Sequence, residues 1–391
     1  MEQAALRSTL LDLIGSARRA ELDRLGEADW AELDRLAAMH RLQPLLHHRA
    51  SARTEIPPDI AAGWRESYRQ AALTAMAQRA ELTAAVRLLE SAGFQPVALK
   101  GAWLAHRAYS DPALRPCRDI DLLVPAERVL AAFAALLAAG FVVSESPEMT
   151  LDQHLLLDKH LPPLDSPGGV RFELHHRLWE PPGRLDHASP RGEEEGVLAR
   201  AVRDDDGVAY PAHEDMLAHL IVHAVYSHRL DCGPLLLRDI AGLLGVARID
   251  WPAFWDRATS GGWRGGARLV LDLVARHHPA ARIDFTLDPG PPTASAVLAD
   301  APALLLQDMD RRKSAGVLAS TLAGGVPALW RRLLGQRRGG IGAPVRREMA
   351  SSGGYFGWAG SRVARTLGDL ARAETRRQSR RLARLSRWLD K

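Results

Sequence analysis

Apolar residues recur at helical spacing through the first 75 residues of the chain and again beyond residue 200. The segment from Asp29 to Ala37 shows this spacing, and Asp29 is placed to cap its N-terminus. Pro57-Pro58 marks the start of another helix, which is expected to end at Gly93. Between the two helical regions, short apolar runs alternate with turns. The pattern predicts a smaller mixed region enclosed by helices.

The mixed region contains the residues that bear on function. We expect a polar loop that includes His154 and residues 158–163, followed by the last main strand. The predicted strands are Phe94–Leu99, Arg118–Val124, Phe141–Val143 and Val170–His176, and the predicted helices are Ala102–Tyr109 and Ala126–Ala139.

Downstream, helical periodicity returns at Glu214–Ser227, Leu235–Leu244, Trp251–Gly262 and Ala267–His277. Residues 286–300 are rich in Pro and Ala and are predicted to form a linker, and later helices are broken at Gly-Gly pairs at 324–325, 339–340 and 353–354. The fold class is therefore α+β, with a small mixed-sheet core flanked by extensive helical regions. The expected divisions are an N-terminal helical region at 1–75, the core at 76–200, a helical domain at 201–285, and a linker with a basic helical tail at 286–391.

Composition places the chain among ordinary globular proteins. It has 391 residues, of which 47% are hydrophobic and 25% are charged. Cys117 and Cys232 match no metal-binding spacing and indicate a reduced compartment. Residues 1–20 lack the pattern of a signal peptide, and no run reaches the ~18 apolar residues of a membrane span. We therefore expect a cytoplasmic protein.

Charge is concentrated at the C-terminal end. Residues 361–391 hold ten Lys and Arg against three acids, a net +7, so the other 360 residues carry −3 of the overall +4. The simpler interpretation is a solvated face of a basic helix, and an anionic partner such as nucleic acid or a membrane surface is the alternative. No aromatic residue beyond Trp388 supports a nucleic-acid platform.

The segment from Leu99 to Val124 carries the clearest chemical signal. Asp119 and Asp121 share one face of a strand because side chains at i and i+2 point the same way. Two neighbouring carboxylates repel each other unless a cation lies between them, and Mg²⁺ bearing nucleotide phosphates is one such cation. Lys100 is one of only four lysines among 51 basic residues, and a compact ammonium suits phosphate in a tight space. Gly101 lets the backbone approach a phosphate at the start of a helix.

Four further residues are candidates for the same site: Glu173 and His175 on another predicted strand, and Arg115 and Arg118 beside the aspartates in the sequence. Glu173, on the third main strand, completes a metal cluster or acts as the base that activates an attacking hydroxyl. His175 lies on the same face and contacts a phosphate or metal, or is a hydrogen-bonded structural residue. Arg115 and Arg118 bind phosphate or neutralise the acids. Taken alone, Asp-Ile-Asp also fits the solvated face of an edge strand.

These residues resemble a known family. The segments Val97-Ala98-Leu99-Lys100-Gly101, Arg115 to Pro125, and Phe172-Glu173-Leu174-His175 are similar to an uncharacterised bacterial nucleotidyltransferase family of the DNA polymerase beta superfamily. Softer similarity covers Trp30 to Leu46, His160-Leu161-Pro162-Pro163 and Leu237 to Leu244, so the resemblance spans roughly residues 25 to 280.

The resemblance implies a minimal nucleotidyltransferase fold that moves a nucleoside monophosphate from an NTP, such as ATP, to a hydroxyl or phosphate. Asp119, Asp121 and Glu173 match the family's catalytic, metal-binding acids, with Mg²⁺ expected and Mn²⁺ as the alternative. Gly101-Ala102 departs from the usual glycine followed by Gly or Ser. The acceptor is expected to be a small molecule, peptide or protein, with an RNA end also open. A non-catalytic nucleotide-binding or partner-binding module with this fold is the alternative function.

Weaker patterns point to structure. His219 and His223 are four residues apart, a spacing that permits zinc, but no glutamate lies between them as a metalloprotease requires. A core or interface pair is the simpler interpretation. Arg238-Asp239 is expected to form a structural ion pair.

Overall fold

The computed structural model describes residues 3–15, 21–50, 52–144, 149–179, 193–309 and 372–390, with residues 312, 315, 316, 318 and 319. It confirms the α+β class, since a mixed sheet is surrounded by helices. The predicted Gly-Gly breaks at 324–325, 339–340 and 353–354 lie outside the described residues.

Four helices precede the sheet, as the apolar periodicity predicts. The longest, α4, has Pro58 in its first turn and ends two residues before Gly93, whose φ of +80° suits glycine at the end of a helix. The four are α1 (Gln3–Ile14), α2 (Glu27–Met39), α3 (Gln43–Ala50) and α4 (Pro58–Ser91).

The sheet has seven strands in the order β3-β4-β5-β2-β1-β7-β6. At its centre β2 pairs parallel with β5 and antiparallel with β1, and β1 pairs parallel with β7. The strands are β1 (Val97–Ala98), β2 (Ile120–Leu123), β3 (Val142–Val143), β4 (Leu164–Asp165), β5 (Arg171–His175), β6 (Val202–Arg203) and β7 (Ala209–Tyr210). The predicted strands are present but shorter than expected.

Several elements differ from the sequence expectation, and β4 is one of them because no pattern predicted it. The stretch around His154, expected as a loop, contains a helix that starts with a capping box between Thr150 and Gln153. The hairpin β6–β7 lies beyond residue 200, where only helices were expected, and extends the sheet through β1. The helices of this region are α5 (Gly101–Arg107), α6 (Val129–Ala138), α7 (Leu151–Leu157) and α8 (Glu194–Ala199).

The described residues beyond Tyr210 are mainly helical, and a π-helical turn at His223–Ser227 continues the first of these helices. Helix α13 begins inside the stretch predicted as a linker. The division of the chain into four regions stays a prediction. The helices are α9 (His213–Val222), α10 (Leu235–Val246), α11 (Trp251–Ser260), α12 (Arg264–His277), α13 (Ser295–Leu305) and α14 (Ala373–Leu389).

The basic helix α14 is amphipathic. Leu382 and Leu385 are buried, and the guanidinium groups of Arg381 and Arg384 lie 3.5 and 3.4 Å from the Asp300 carboxylate on α13. Most other arginines of α14 face solvent, so a basic solvated face remains beside a packed one. Among the described helices, none is both long and apolar enough to cross a lipid bilayer.

Candidate active site

The parallel pairing of β2 with β5 brings the predicted acids together. Asp121 lies directly opposite Glu173 in the register, and His175 follows two residues later on the same face. His175 Nε2 is 2.9 Å from Asp121 Oδ1 and 3.5 Å from Glu173 Oε2. One ligand atom from each of the three residues lies within 4.8 Å of the others, so they form a group able to hold a metal ion.

His175 is oriented by the backbone. Its Nδ1–H donates to the Arg177 carbonyl oxygen at 3.2 Å, which leaves Nε2 facing the two carboxylates. Burial alone would lower the pKa of His175, but the charge of Asp121 and the hydrogen bonds to both acids raise it. With Nδ1–H bonded to the Arg177 carbonyl, the contact of Nε2 with Asp121 is a hydrogen bond when Nε2 also carries a proton, and the raised pKa favours that form. Donation of one ring N–H to a carbonyl is also typical of a histidine whose other nitrogen binds a metal.

Lys100 holds the other side of Asp121. Its Nζ is 3.1 Å from Asp121 Oδ2. Lys100 lies in the turn between β1 and α5, where its backbone φ is +43°. A left-handed backbone conformation is costly for any residue other than glycine, so the surrounding structure must hold Lys100 in this conformation. Burial acts to raise the pKa of Asp121, but Lys100 and His175 hold that pKa well below its usual range.

Asp119 precedes β2 and differs from the other two acids. It does not belong to the group that can jointly contact one ion, but it lines the cavity beside that group. Burial and the charges of Asp121 and Glu173 raise the pKa of Asp119 to about 6. The three carboxylates therefore share one electrostatic site, and Asp119 lies on its cavity side.

His160 is a neighbour of the acids that the sequence did not single out. Its Nδ1–H donates to the Leu161 carbonyl at 2.8 Å, and its Nε2 is 3.5 Å from Glu173 Oε2. A backbone bridge to His175 fixes its position beside β5. The motif His160-Leu161-Pro162-Pro163, which already contributed to the family resemblance, was the available signal.

A cavity of about 260 Å³ adjoins the acids. Helix α4 lines it with the small residues Ser67, Ala71, Thr74 and Ala75 and with the larger Gln70, Gln78, Arg79 and Leu82. The charged groups and the histidine that line it are Arg41, Arg79, His106, Arg115 and Asp119. Basic groups outnumber acids on this lining, which favours an anionic ligand.

The remaining predicted site residues have different surroundings. Arg115 makes a two-pronged ion pair with Asp239 of α10, with Nε and Nη2 at 2.8 and 2.9 Å from its carboxylate oxygens. A Cβ at Gly101 would lie 2.6 Å from Arg115 Nη1 and 2.7 Å from Cys117 Sγ, so close packing requires glycine there. Arg118 is exposed. The roles of these three residues toward a nucleotide stay predictions.

The expected pairing of Arg238 with Asp239 is replaced by another arrangement. Asp239 binds Arg115 and also accepts a hydrogen bond from the Tyr109 hydroxyl at 2.8 Å, whereas the Arg238 guanidinium lies over the Tyr109 ring. The ion pair is structural, as predicted, but it joins the loop before β2 to α10.

His219 is buried and His223 is partly buried, and the centroids of their rings lie 6.0 Å apart. Burial lowers the pKa of both well below the usual value, with a further contribution from the positive charge of Lys100. Among the described residues, the group able to hold a metal includes neither of them. The structure therefore favours the core interpretation over a zinc site.

A mixed sheet that presents carboxylates from two adjacent parallel strands, beside a cavity whose charged groups are mostly basic, is typical of phosphoryl- or nucleotidyl-transferring enzymes. The chain belongs to an uncharacterised nucleotidyltransferase family, whose model matches residues 26–279 and therefore most of the chain. Neither the curated proteins nor the solved structures contain a match.

Proposed function

We propose that this protein is a divalent-metal-dependent nucleotidyltransferase that moves a nucleoside monophosphate from an NTP to a hydroxyl or phosphate acceptor. The observation that carries the proposal is the in-register placement of Asp121 and Glu173 on parallel strands. The raised pKa of Asp119 also supports the proposal, because it results from burial and from repulsion by Asp121 and Glu173 within one site. A cation relieves that repulsion when it binds.

The side chains present fit a metal ion. Asp121, Glu173 and His175 would hold it, and Asp119 would add charge from the cavity side. Mg²⁺ prefers oxygen ligands, whereas Mn²⁺ accepts both carboxylate and imidazole, so the observed set suits Mn²⁺ at least as well as Mg²⁺. When bound, the ion supplies charge neutralisation for the phosphates of the donor.

The protein's own groups would position the reactants. Lys100 supplies a point charge beside Asp121, and Glu173 contacts two histidines that fix its carboxylate. We propose that Glu173 assists the metal or accepts the proton of the acceptor hydroxyl as it attacks the α-phosphorus. Electrostatic stabilisation is the main contribution expected in this chemistry.

The Lys100–Asp121 ion pair also favours a second candidate, a nucleotide-binding module without turnover. Lys100 and His175 already pair with Asp121, so part of the negative charge of the cluster is compensated without a metal. The two candidates differ in whether pyrophosphate is released.

The test is to incubate the protein and cell lysate with each of the four NTPs labelled at the α-phosphate, in Mg²⁺ or Mn²⁺. Transfer of label and release of pyrophosphate are expected, with a fall of at least 100-fold in Glu173→Gln. Glu127→Gln removes an exposed acid after β2 and should leave both unchanged. Binding of an NTP by calorimetry, with no label transferred and no pyrophosphate from any NTP, would favour the non-catalytic module.

A further inference from the structure

Arg41 has a backbone conformation that its sequence position does not explain. Helix α2 ends in two hydrogen bonds, from the Arg41 amide to Ala38 at 3.0 Å and from the Leu42 amide to Ala37 at 2.8 Å. This pair of bonds defines the helix ending in which glycine usually occupies the left-handed position. Arg41 occupies it with a φ of +57°. Glycine would be more stable there, so the arginine side chain must supply something else.

The side chain of Arg41 lines the cavity beside Asp119 without a fixed partner. Arg79 binds Asp206 at 2.7 Å, and Arg115 binds Asp239 at 2.8 Å. The guanidinium of Arg41 is half-buried and has no hydrogen-bond acceptor within the described part of the chain. A guanidinium carries five donors, and leaving them unpaired away from water is costly.

The surroundings of Arg41 disfavour its positive charge. Burial lowers the pKa of Arg41, and the neighbouring charges of Arg118 and Arg115 lower it further. Asp119 offsets only part of this repulsion. A ligand that brings negative charge into the cavity would offset the repulsion between Arg41 and its positive neighbours.

We infer that Arg41 is a binding residue for the polyphosphate chain of the nucleotide donor, supplied to the active site by the N-terminal helices. This inference rests on the proposed function and extends it. A planar guanidinium binds two phosphate oxygens at once. The cavity is also lined by Asp119 and Ile120, at the start of the strand that carries Asp121, so a phosphate chain bound there lies next to the acidic cluster.

A phosphate group could belong to the donor or to a phosphorylated acceptor, and the two sources give different results. The experiment is isothermal titration of the full chain with inorganic tripolyphosphate and, separately, with inorganic phosphate, both in Mg²⁺. The inference predicts tighter binding of tripolyphosphate. Phosphate that binds equally or more tightly would overturn the assignment to the donor.

The variants are Arg41→Gly, Arg41→Gln and the control Arg69→Gln, which removes an exposed arginine of α4. Both Arg41 variants should bind tripolyphosphate about 10- to 100-fold more weakly, since a hydrogen-bonded charge pair is lost. Arg41→Gly should melt at or above the wild-type temperature, because glycine suits the left-handed position. This separates lost binding from lost folding, and Arg69→Gln should behave as wild type.

Unchanged tripolyphosphate binding in both Arg41 variants would overturn the inference and leave the proposed function standing. So would a wild-type chain that binds no tripolyphosphate but still releases pyrophosphate from an NTP. If the Arg41 variants lose binding but the wild type releases no pyrophosphate from any NTP, the inferred site stands and the proposed catalysis fails.

Discussion

Replacement of Asp119 by asparagine should stabilise the metal-free protein at neutral pH. The folded protein holds this carboxyl at a pKa of about 6, against 3.8 for an unperturbed group, because burial and the charges of Asp121 and Glu173 disfavour ionisation. A shift of about two units corresponds to about 3 kcal/mol at 1.36 kcal/mol per unit. Asp119 is only half-buried, so we expect about 2 kcal/mol.

The sign of the effect fixes its pH dependence. The folded state binds the Asp119 proton more tightly than the unfolded state does, so the wild-type carboxyl costs nothing below about pH 4. The penalty grows as pH rises from about 4 to about 6 and is complete above about pH 7. Asparagine carries no charge, so the stability difference between variant and wild type should be close to zero at pH 4 and about 2 kcal/mol at pH 8.

Urea unfolding in EDTA at both pH values measures this difference directly. Asp256→Asn, which removes an exposed acid of α11, is the matched control and should show no such growth with pH. A difference that is equal at pH 4 and pH 8, or an Asp119→Asn protein that is less stable at pH 8, would refute the electrostatic reasoning. Because Asp121 has two buried partners, its removal would unpair Lys100 and His175 and could not isolate the same effect.

Two further predictions concern the neighbouring charges. Because the two carboxylates favour a proton on His175, Mn²⁺ binding at pH 7 should release about one proton, which calorimetry in buffers of different ionisation enthalpy measures. His175→Gln should abolish this release and weaken Mn²⁺ binding at least tenfold. Proton release that persists in the variant would assign the proton to another group. Arg115→Met should destabilise the fold by about 3 to 5 kcal/mol because it leaves Asp239 buried without its ion-pair partner. The double variant with Asp239→Leu should recover most of that loss in chemical unfolding, and purely additive losses would contradict the pairing.

Local patterns in the sequence were sufficient to predict the centre of the site. Alternation along two strands placed Asp121 on one face of β2, and Glu173 with His175 on one face of β5. What it could not supply was the pairing of those strands, because register depends on contacts between segments about 50 residues apart. The family resemblance implied only that Glu173 joins the aspartates in one site, and the parallel pairing and its register are visible in the structure alone.

Strands and helices whose hydrophobic pattern is short or mixed were not predicted from the sequence. Strands β6 and β7 have two residues each, too few for alternation to be visible. Helix α7 contains polar residues that resemble a loop, although Thr150 and Gln153 form a recognisable capping box. Helix α13 was hidden by the Pro and Ala content of its surroundings.

Long-range partners were the least predictable feature. Nothing local distinguishes Arg115, which binds Asp239 from 124 residues away, from Arg41, whose guanidinium is left for a ligand. Both are arginines beside apolar residues. Only the fold shows which carboxylates are already used, and this difference separates a structural arginine from a binding one.

The balance of charge at the site links metal, proton and phosphate. The three carboxylates carry three negative charges in their ionised form, and Lys100 with a protonated His175 compensates two of them. Exchange of the His175 proton for a divalent cation removes the remaining negative charge without adding a positive excess. The cluster is then neutral, and the unpaired guanidinium of Arg41 becomes the nearest uncompensated charge on the cavity side. A donor phosphate chain that satisfies Arg41 is therefore favoured after metal binding, which predicts that Mn²⁺ and tripolyphosphate bind cooperatively.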